Sequence, residues 1–294
     1  MLRKPGHLVY SPRYDFSDYN HVLSAEKYRM LYDALKYERW FWNEPTLIDE
    51  EALARVHTKK YLKDFLSARL TEKTKRSEIP IDKRIVEGVL TATQGTLLAA
   101  ELALKHGVAS NLSGGFHHSF ADHAEGFCYL NDIVVAIRAL RVKEPNMKVA
   151  VIDLDVHQGN GTAVLLQKDE NTYTFSMHEK DNYPLKEQSS HDVELASHIG
   201  DKEYIKLLDE NLSILKEVIT PDIIFYVAGV DVFQEDILGG LALTPRGIAA
   251  RDRYVKNFMP KVPIVTVTAG GYARNIADSV ELHAQTIRIF HDRL

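Results

Sequence analysis

The sequence predicts an α/β protein in which one parallel β-sheet carries helices on both faces. Short apolar runs of about strand length alternate with longer segments of helical periodicity, which is the pattern of β-α-β units. Several of these runs are apolar throughout, as strands buried on both faces are. The 294 residues contain no stretch typical of a linker, a repeat or a low-complexity segment, so we expect a single domain over residues 1–294.

The first part of the chain is expected to supply two strands and several helices. Two short apolar runs, HLVYS and VASNL, predict strands, and Ser24 is a candidate N-cap for a helix whose apolar residues form one stripe. A helical pattern interrupted near His57 follows, and Gly107 is placed to end a long helix. The predicted strands are 7–11 and 108–112, and the predicted helices are 24–40, 50–68 and 83–106.

The rest of the chain repeats this alternation more regularly. A helix is predicted over 130–143, and four apolar runs of buried-strand length follow it along the chain. The predicted strands are 148–155, 172–177, 222–229 and 263–270, and the later helices are 202–219, 245–259 and 276–293. The least regular stretch, 179–201, predicts a long surface loop.

Composition and charge exclude several classes of protein. The net charge of -5 does not indicate a nucleic-acid-binding surface, and no apolar run approaches the roughly 20 residues that cross a bilayer. A single cysteine, Cys128, excludes an internal disulfide and fits a reducing compartment. The N-terminus lacks the apolar stretch of a signal peptide. These features predict a cytoplasmic protein that binds neither nucleic acid nor membrane.

Polar side chains follow the predicted strands, where parallel sheets bind their ligands. Asp153 and Asp155 are two residues apart on a strand and therefore point the same way, and His157 comes just past the strand end. Carboxylate oxygen and imidazole nitrogen suit a zinc-type ion, and Asp231, at another strand end, is the best third ligand. Three protein ligands leave a fourth position open, which is the pattern of catalytic metal sites.

The structural alternative is that these acids are solvated residues at strand and loop ends. For the DxDxH pattern alone this alternative is a serious one. However, His117 and His118 follow one further strand, and Tyr272 follows another. Polar groups of complementary chemistry at the ends of several predicted parallel strands favour a catalytic site.

The two adjacent histidines suit acid–base chemistry at such a site. One imidazole could act as general base while a buried acid polarises the other, and Asp153 or Asn160 could orient a ring. If Asp153 faces His117 and uncharged Asn160 faces His118, the pKa of His118 should be the lower of the two. The hydroxyl of Tyr272 could donate to an oxygen that gains negative charge.

Four motifs resemble those of a known enzyme family. They are GGFHHSFADHAEGFCYLND, VIDLDVHQGNG, AGVDVFQEDILGG and TAGGY, in the family's order. They resemble the zinc-dependent histone deacetylases and their prokaryotic relatives, the acetylpolyamine amidohydrolases and acetoin-utilisation proteins. VYSPRY, HTKKYL, QGN and GGLALTPRGI followed by RD are most similar to the class IV branch. The resemblance implies one arginase-like deacetylase domain with an eight-stranded parallel sheet.

The resemblance also implies roles for individual residues. It assigns zinc to Asp155, His157 and Asp231, and the oxyanion-donating role to Tyr272. It implies that His118 is the general base and acid and that His117 is its electrostatic partner, backed by Asp153. The Gly126 carbonyl would receive the substrate amide, and Phe127 would form one wall of an acyl-lysine channel. A structural potassium ion is implied at Asp153, Ser176 Oγ and the main chain of Asp155, His157 and Met177.

Three positions depart from the family pattern. Asn160 stands where many relatives have aspartate, although class II and class IV members share the asparagine. His21 and Val22 replace a common His-Pro pair. The second channel wall, usually aromatic, falls in the irregular 179–201 stretch, where Tyr183, Pro184 or Leu185 could supply it.

These observations predict a zinc-dependent amide hydrolase. Its expected substrates are acylated lysine in a peptide or protein, with acetyl or longer acyl groups, or alternatively acylated polyamines. A two-manganese ureohydrolase of the same fold would need further Asp and His ligands, and the single DxDxH and Tyr272 argue against it. A silent acyl-lysine-binding scaffold predicts loss of a zinc ligand or of Tyr272, and all of these residues are present.

Overall fold

Eight parallel strands form one sheet in the computed structural model, which describes residues 5–16 and 21–292. The strands are β1 (Gly6–Val9), β2 (Trp40–Asn43), β3 (Val108–Asn111), β4 (Val149–Asp153), β5 (Thr172–Glu179), β6 (His191–Leu195), β7 (Ile223–Val227) and β8 (Ile264–Val267). Their order across the sheet is β2-β1-β3-β8-β7-β4-β5-β6. This architecture confirms the predicted α/β fold with an eight-stranded parallel sheet.

Nine α-helices lie within the described ranges. They are α1 (Glu26–Leu35), α2 (Glu50–Ala54), α3 (Lys59–Leu66), α4 (Lys83–His106), α5 (Asp132–Leu140), α6 (Asn160–Leu166), α7 (Asp201–Val218), α8 (Pro245–Phe258) and α9 (Ile276–Phe290). Side chains of Asp82, Asn131 and Thr244 cap the first turns of α4, α5 and α8. None of the described helices combines the length and apolarity that crossing a membrane requires.

The central strands are buried on both faces, as their apolar sequences predict. On β4, Val149 and Val151 pack in one core with side chains of α4 and α5. The alternate residues Ala150 and Ile152 pack in a second core with side chains of α7, α8 and α9. This period of two places a helical layer on each face of the sheet.

Gly107 ends α4 as predicted. Its φ of +92° lies in the region that favours glycine, and its N–H donates to Ala103 O. An added Cβ would contact nothing within 4 Å. The requirement for glycine is therefore conformational and does not come from crowding.

Two predictions at the edges of the sheet are wrong. The helix predicted over 24–40 begins at Glu26, with Ala25 and not Ser24 as N-cap, and ends at Leu35. Trp40 then begins β2, which pairs with β1. The stretch 179–201, predicted as loop, completes β5 and contains β6. In β6 only Leu195 is buried, so this edge strand carries almost no apolar pattern.

His57 marks the predicted break between α2 and α3 and links distant segments of the chain. Its Nδ1 lies 3.0 Å from Phe120 O, and its Nε2 accepts from the Asn131 N–H at 3.1 Å. The proton is therefore on Nδ1, and the ring is neutral in this arrangement. Burial lowers the pKa of His57 to about 4.

This shift predicts that acid destabilises the fold through His57. The unfolded chain, with an ordinary pKa near 6.5, binds the proton more readily than the folded chain does. The contribution of neutral His57 to the free energy of unfolding is complete above pH 6.5. About 3 kcal/mol of it is lost as the pH falls towards 4. His57→Gln should reduce the fall in the free energy of unfolding between pH 6.5 and 4.5, measured by denaturant titration.

A matched control is His198→Gln, because His198 is exposed. Its unfolding free energy should depend on pH as in the unmodified chain. Equal pH dependence in His57→Gln and the unmodified chain would show that His57 does not titrate on unfolding.

Candidate active site

The candidate site lies beyond the carboxyl ends of β3, β8, β7 and β4, which are neighbours in the sheet. His117 and His118 follow β3, and Tyr272 follows β8. Asp231 follows β7, and Asp155 follows β4. Because parallel strands end on the same edge of a sheet, segments far apart in sequence meet there.

Asp155, His157 and Asp231 come together as a buried group that could hold a metal ion, the candidate metal-ligating group. One ligand atom from each residue lies within 4.8 Å of the others. His157 Nδ1 is 3.1 Å from Asp155 Oδ1 and 3.2 Å from Asp231 Oδ2. Asp231 Oδ2 is buried and accepts no hydrogen bond. The donor set and this unused oxygen fit a divalent cation with two oxygen ligands and one nitrogen ligand.

The electrostatics of this group also call for a cation. Burial and the neighbouring Asp155 raise the pKa of Asp231 to about 7. Burial lowers the pKa of His157, but the neighbouring carboxylates of Asp155 and Asp231 outweigh that effect and raise it to about 10. Two carboxylates buried side by side therefore draw positive charge to the space between them.

Backbone contacts fix the two aspartates. Asp155 Oδ2 accepts from the Gly270 N–H at 2.8 Å, and Asp231 Oδ1 accepts from the Val156 N–H at 2.9 Å. A Cβ on Gly270 would lie 2.0 Å from Asp231 Oδ2, so only glycine allows the end of β8 to approach this closely.

Arg251 links the same two strand ends. It is fully buried, and its Nη1 donates to Leu154 O at 3.3 Å and to Gly229 O at 2.6 Å. Asp252 pairs with the guanidinium at 2.9 Å. One side chain thus ties together the segments that carry Asp155 and Asp231.

The two adjacent histidines face different partners. His117 Nδ1 lies 2.8 Å from Asp153 Oδ2, and His118 Nδ1 lies 2.8 Å from Asn160 Oδ1. Burial lowers the pKa of His117, but Asp153 and Asp155 raise it to about 9. Burial, His117 and His157 hold the pKa of His118 well below its usual value. His117 is therefore charged at pH 7, and His118 is neutral, in the order that the sequence predicts.

Tyr272 is held beside the metal-ligating group by Asp236. The Tyr272 N–H donates to Asp236 Oδ2 at 2.6 Å, and the same carboxylate accepts from Leu238 and Gly239. Burial and the two nearby aspartates raise the pKa of the Tyr272 hydroxyl well above 10. The hydroxyl therefore stays protonated and can donate a hydrogen bond.

Lys27 is a buried cation that the sequence analysis missed. Its Nζ donates to Ala269 O at 3.1 Å and lies 5.1 Å from the centre of the Tyr272 ring. Burial lowers the pKa of Lys27 to about 8. A lysine on an amphipathic helix is normally expected at the surface, so the helical pattern of α1 carries no signal for this position.

A cavity of about 280 Å³ leads to the metal-ligating group. Phe127 and Tyr183 both line it, with the Tyr183 ring 5.2 Å from that of His118. Leu185 is 91% exposed and lies outside the lining. Of the three candidates for the second wall, the structure therefore selects Tyr183.

Gly126 lines this cavity between His118 and Tyr183. Its φ is +48°, and a Cβ there would lie 2.6 Å from the His118 ring and 2.8 Å from the Tyr183 hydroxyl. A side chain at this position would therefore collide with His118 and Tyr183. The Gly126 carbonyl accepts from the Cys128 thiol at 3.3 Å, and its role towards a substrate amide stays a prediction.

The residues expected to bind potassium lie on neighbouring strands. Asp153 on β4 is the register partner of Ser176 on β5, and Met177 follows. Ser176 Oγ lies 2.9 Å from Nδ1 of His178, a buried residue that the sequence analysis did not single out. The structure brings the predicted side chains together, and the ion stays a prediction.

Comparisons with known proteins agree with this site. The family model described as "Histone deacetylase domain" matches residues 21–287. An uncharacterized protein of Picosynechococcus sp. is 38% identical over 92% of this chain and 93% of its own. Histone deacetylase 2 of Arabidopsis thaliana is 33% identical over 93% of this chain and 77% of its own.

The fold comparison points the same way. The crystal structure of "an HDAC homolog complexed with SAHA" superposes with a TM-score of 0.86 at 23% identity, over 99% of this chain and 85% of that chain. The match of the domain model and the sequence identity to the Arabidopsis protein together show the family of this chain. The chain belongs to the histone deacetylase family, a family of hydrolases that deacetylate amides.

Proposed function

We propose that this chain is a zinc-dependent deacylase that removes acetyl or longer acyl groups from lysine side chains or lysine-like amines. The observation that carries the proposal is the buried group of Asp155, His157 and Asp231 at the end of an aromatic-walled cavity. His118 and Tyr272 line the same cavity. A metal-ligating group, a neutral base and a protonated hydroxyl suit amide hydrolysis.

The cavity suits an acylated alkylamine. The methylene chain would lie between Phe127 and Tyr183, where apolar ring faces replace water. The carbonyl of Gly126 would accept the N–H of the scissile amide. This placement directs the acyl carbonyl towards Asp155, His157, Asp231 and the Tyr272 hydroxyl.

Asp155, His157 Nδ1 and Asp231 would hold the zinc ion. When bound there, zinc supplies Lewis acidity that polarises the amide carbonyl and makes water easier to deprotonate. Because two carboxylates offset much of the ion's charge, a second electrophile is useful. Tyr272 would donate its hydrogen bond to the carbonyl oxygen as negative charge develops on it.

His118 would move the proton. With Nδ1 facing Asn160, its Nε2 is free to accept a proton from the attacking water and to return it to the leaving amine. His117, charged and paired with Asp153, would add positive charge beside the site as negative charge develops on the substrate.

The proposal extends to a structural potassium ion and to the compartment. Oxygen ligands from Asp153, Ser176 and the main chain of Asp155, His157 and Met177 suit an alkali ion. The single buried cysteine fits a reducing compartment, and we expect the protein to act in the cytoplasm.

A substrate panel tests the proposal. The zinc-loaded chain is incubated with lysine peptides that carry acetyl through long acyl groups, and with acetylated polyamines, and the released amine is quantified. Release from acyl-lysine peptides is expected, and Asp231→Asn is the matched inactive variant. Release from acetylated polyamines alone would show that the substrate is a small-molecule amine and not acyl-lysine in a peptide. No release from any amide would contradict the proposal.

A further inference from the structure

Glu125 lies immediately before Gly126. Its side chain contacts Asn160, the residue that faces His118. Its Oε1 accepts from Asn160 Nδ2 at 2.8 Å, and its side chain is 13% exposed. On the other side, Oε2 pairs with Arg76 and lies 3.6 Å from His123 Nε2. Two backbone hydrogen bonds with Cys128 hold the main chain of Glu125 in place.

The carboxylate of Glu125 decides which way the Asn160 amide points. An ionised carboxylate only accepts hydrogen bonds, so the Asn160 atom that faces it must be the NH₂ group. Asn160 Oδ1 is then left to face His118 Nδ1 at 2.8 Å, and it also accepts from the Gly161 N–H at 3.0 Å.

The amide orientation in turn decides the tautomer of His118. Because Asn160 Oδ1 can only accept, the proton of neutral His118 must sit on Nδ1. The lone pair is then on Nε2, the nitrogen that does not face Asn160. If the Asn160 amide turned over, its NH₂ would face Nδ1 and favour the opposite tautomer, which cannot accept a proton at Nε2.

We propose that Glu125 is a positioning residue that fixes the His118 tautomer through Asn160. This inference rests on the proposed function, in which His118 moves the proton. Arg76 balances the charge of Glu125, so the carboxylate orients the amide without adding net negative charge next to His118. The residues expected to bind the metal do not themselves fix the tautomer of His118.

A purely structural role predicts something different. Arg76 is half exposed, and an ion pair at such a position contributes little to stability because solvent screens it. If Glu125 served only that ion pair, its loss would lower the melting temperature slightly and leave both kcat and the His118 tautomer unchanged.

The test compares Glu125→Ala and Glu125→Gln with Glu72→Ala as control. The amide oxygen of glutamine can still accept from Asn160. Its NH₂ group would then face Arg76, which is half exposed and can turn to solvent. Glu72 is 85% exposed and pairs with Lys75 only at the surface. Each zinc-loaded protein is assayed for kcat and KM. The His118 tautomer is measured by ¹⁵N NMR after histidine labelling, with assignment from a His118→Gln sample.

We expect Glu125→Ala to lower kcat roughly 10-fold with KM nearly unchanged, since the wrong tautomer disables a base and Gly161 still holds the amide in part. Its His118 signal should show a mixture of tautomers. Glu125→Gln should restore most of kcat and the Nδ1–H tautomer, and Glu72→Ala should match the unmodified chain.

Two results would overturn the inference: unchanged kcat in Glu125→Ala, or a His118 that stays wholly in the Nδ1–H form there. If Glu125→Ala does not fold, Glu125→Met, which keeps the side-chain length, carries the same expectations. The NMR measurement needs no substrate. A failure of the proposed function would therefore appear as absent activity in the unmodified chain, independently of the tautomer.

Discussion

Tyr272→Phe should lower kcat by roughly 10²–10³-fold, the usual loss for one oxyanion donor. The hydroxyl is protonated because burial and two aspartates keep its pKa well above 10. Its hydrogen bond strengthens as the substrate oxygen gains charge, so KM should change less than kcat. The measurement is steady-state deacetylation of an acetyl-lysine peptide by zinc-loaded protein.

The control for this prediction is Tyr37→Phe, which removes a hydroxyl from a residue that is 90% exposed. It should leave both kinetic constants unchanged. A Tyr272→Phe variant with near-normal kcat would remove Tyr272 from the mechanism, whatever its position in the cavity.

His118→Gln should cost more activity at pH 7 than His117→Gln, with a loss in kcat of roughly 10²–10⁴-fold for the general base. His118 is neutral at this pH because its pKa lies well below the usual value, and it can accept a proton. His117, with a pKa raised to about 9, is already protonated and cannot. The kcat values of the two variants, compared at equal zinc content, check this assignment.

A larger loss in His117→Gln than in His118→Gln would reverse the roles of the two histidines. A double variant should lose little more than His118→Gln alone, because residues that act as a unit are not additive. Circular dichroism of each variant verifies that the buried substitutions leave the fold intact.

Much of the site could be predicted because its signals are local in sequence. The two-residue spacing of Asp153 and Asp155 at the end of an apolar strand places both on one face, and parallel strand ends must converge. The different neighbours of His117 and His118 were expected from Asp153 and Asn160. Burial lowers the pKa of both rings, but Asp153 and Asp155 raise that of His117, whereas His118 has no ionised partner to offset burial.

The rest depends on contacts between segments far apart in the chain. Lys27 has an ordinary helical pattern, and only its contact with Ala269 and Tyr272 gives it a place at the site. Glu125 matters because Asn160, 35 residues later, folds back onto it. The edge strands β2 and β6 have little or no buried alternating pattern. Each pairs with only one other strand, and solvent takes the place of the second strand and of part of the core.

The channel wall shows the same limit. Tyr183, Pro184 and Leu185 are adjacent, and nothing in their sequence says which of them faces the cavity. Asn182, next to Tyr183, donates from Nδ2 to Glu179 Oε2 at 2.7 Å and to the distant Leu238 O at 2.8 Å. This anchoring holds the segment so that Tyr183 faces His118.

We expect one metal ion at Asp155, His157 and Asp231 to make this chain a deacylase. The most direct measurement is titration of Zn²⁺ into chelator-treated protein whose metal content is known from elemental analysis, with acetyl-lysine peptide hydrolysis as the readout. We expect no activity without metal and recovery that saturates at one ion per chain, with no recovery in Asp231→Asn. Full activity of the metal-free protein, or a requirement for two ions, would contradict this expectation.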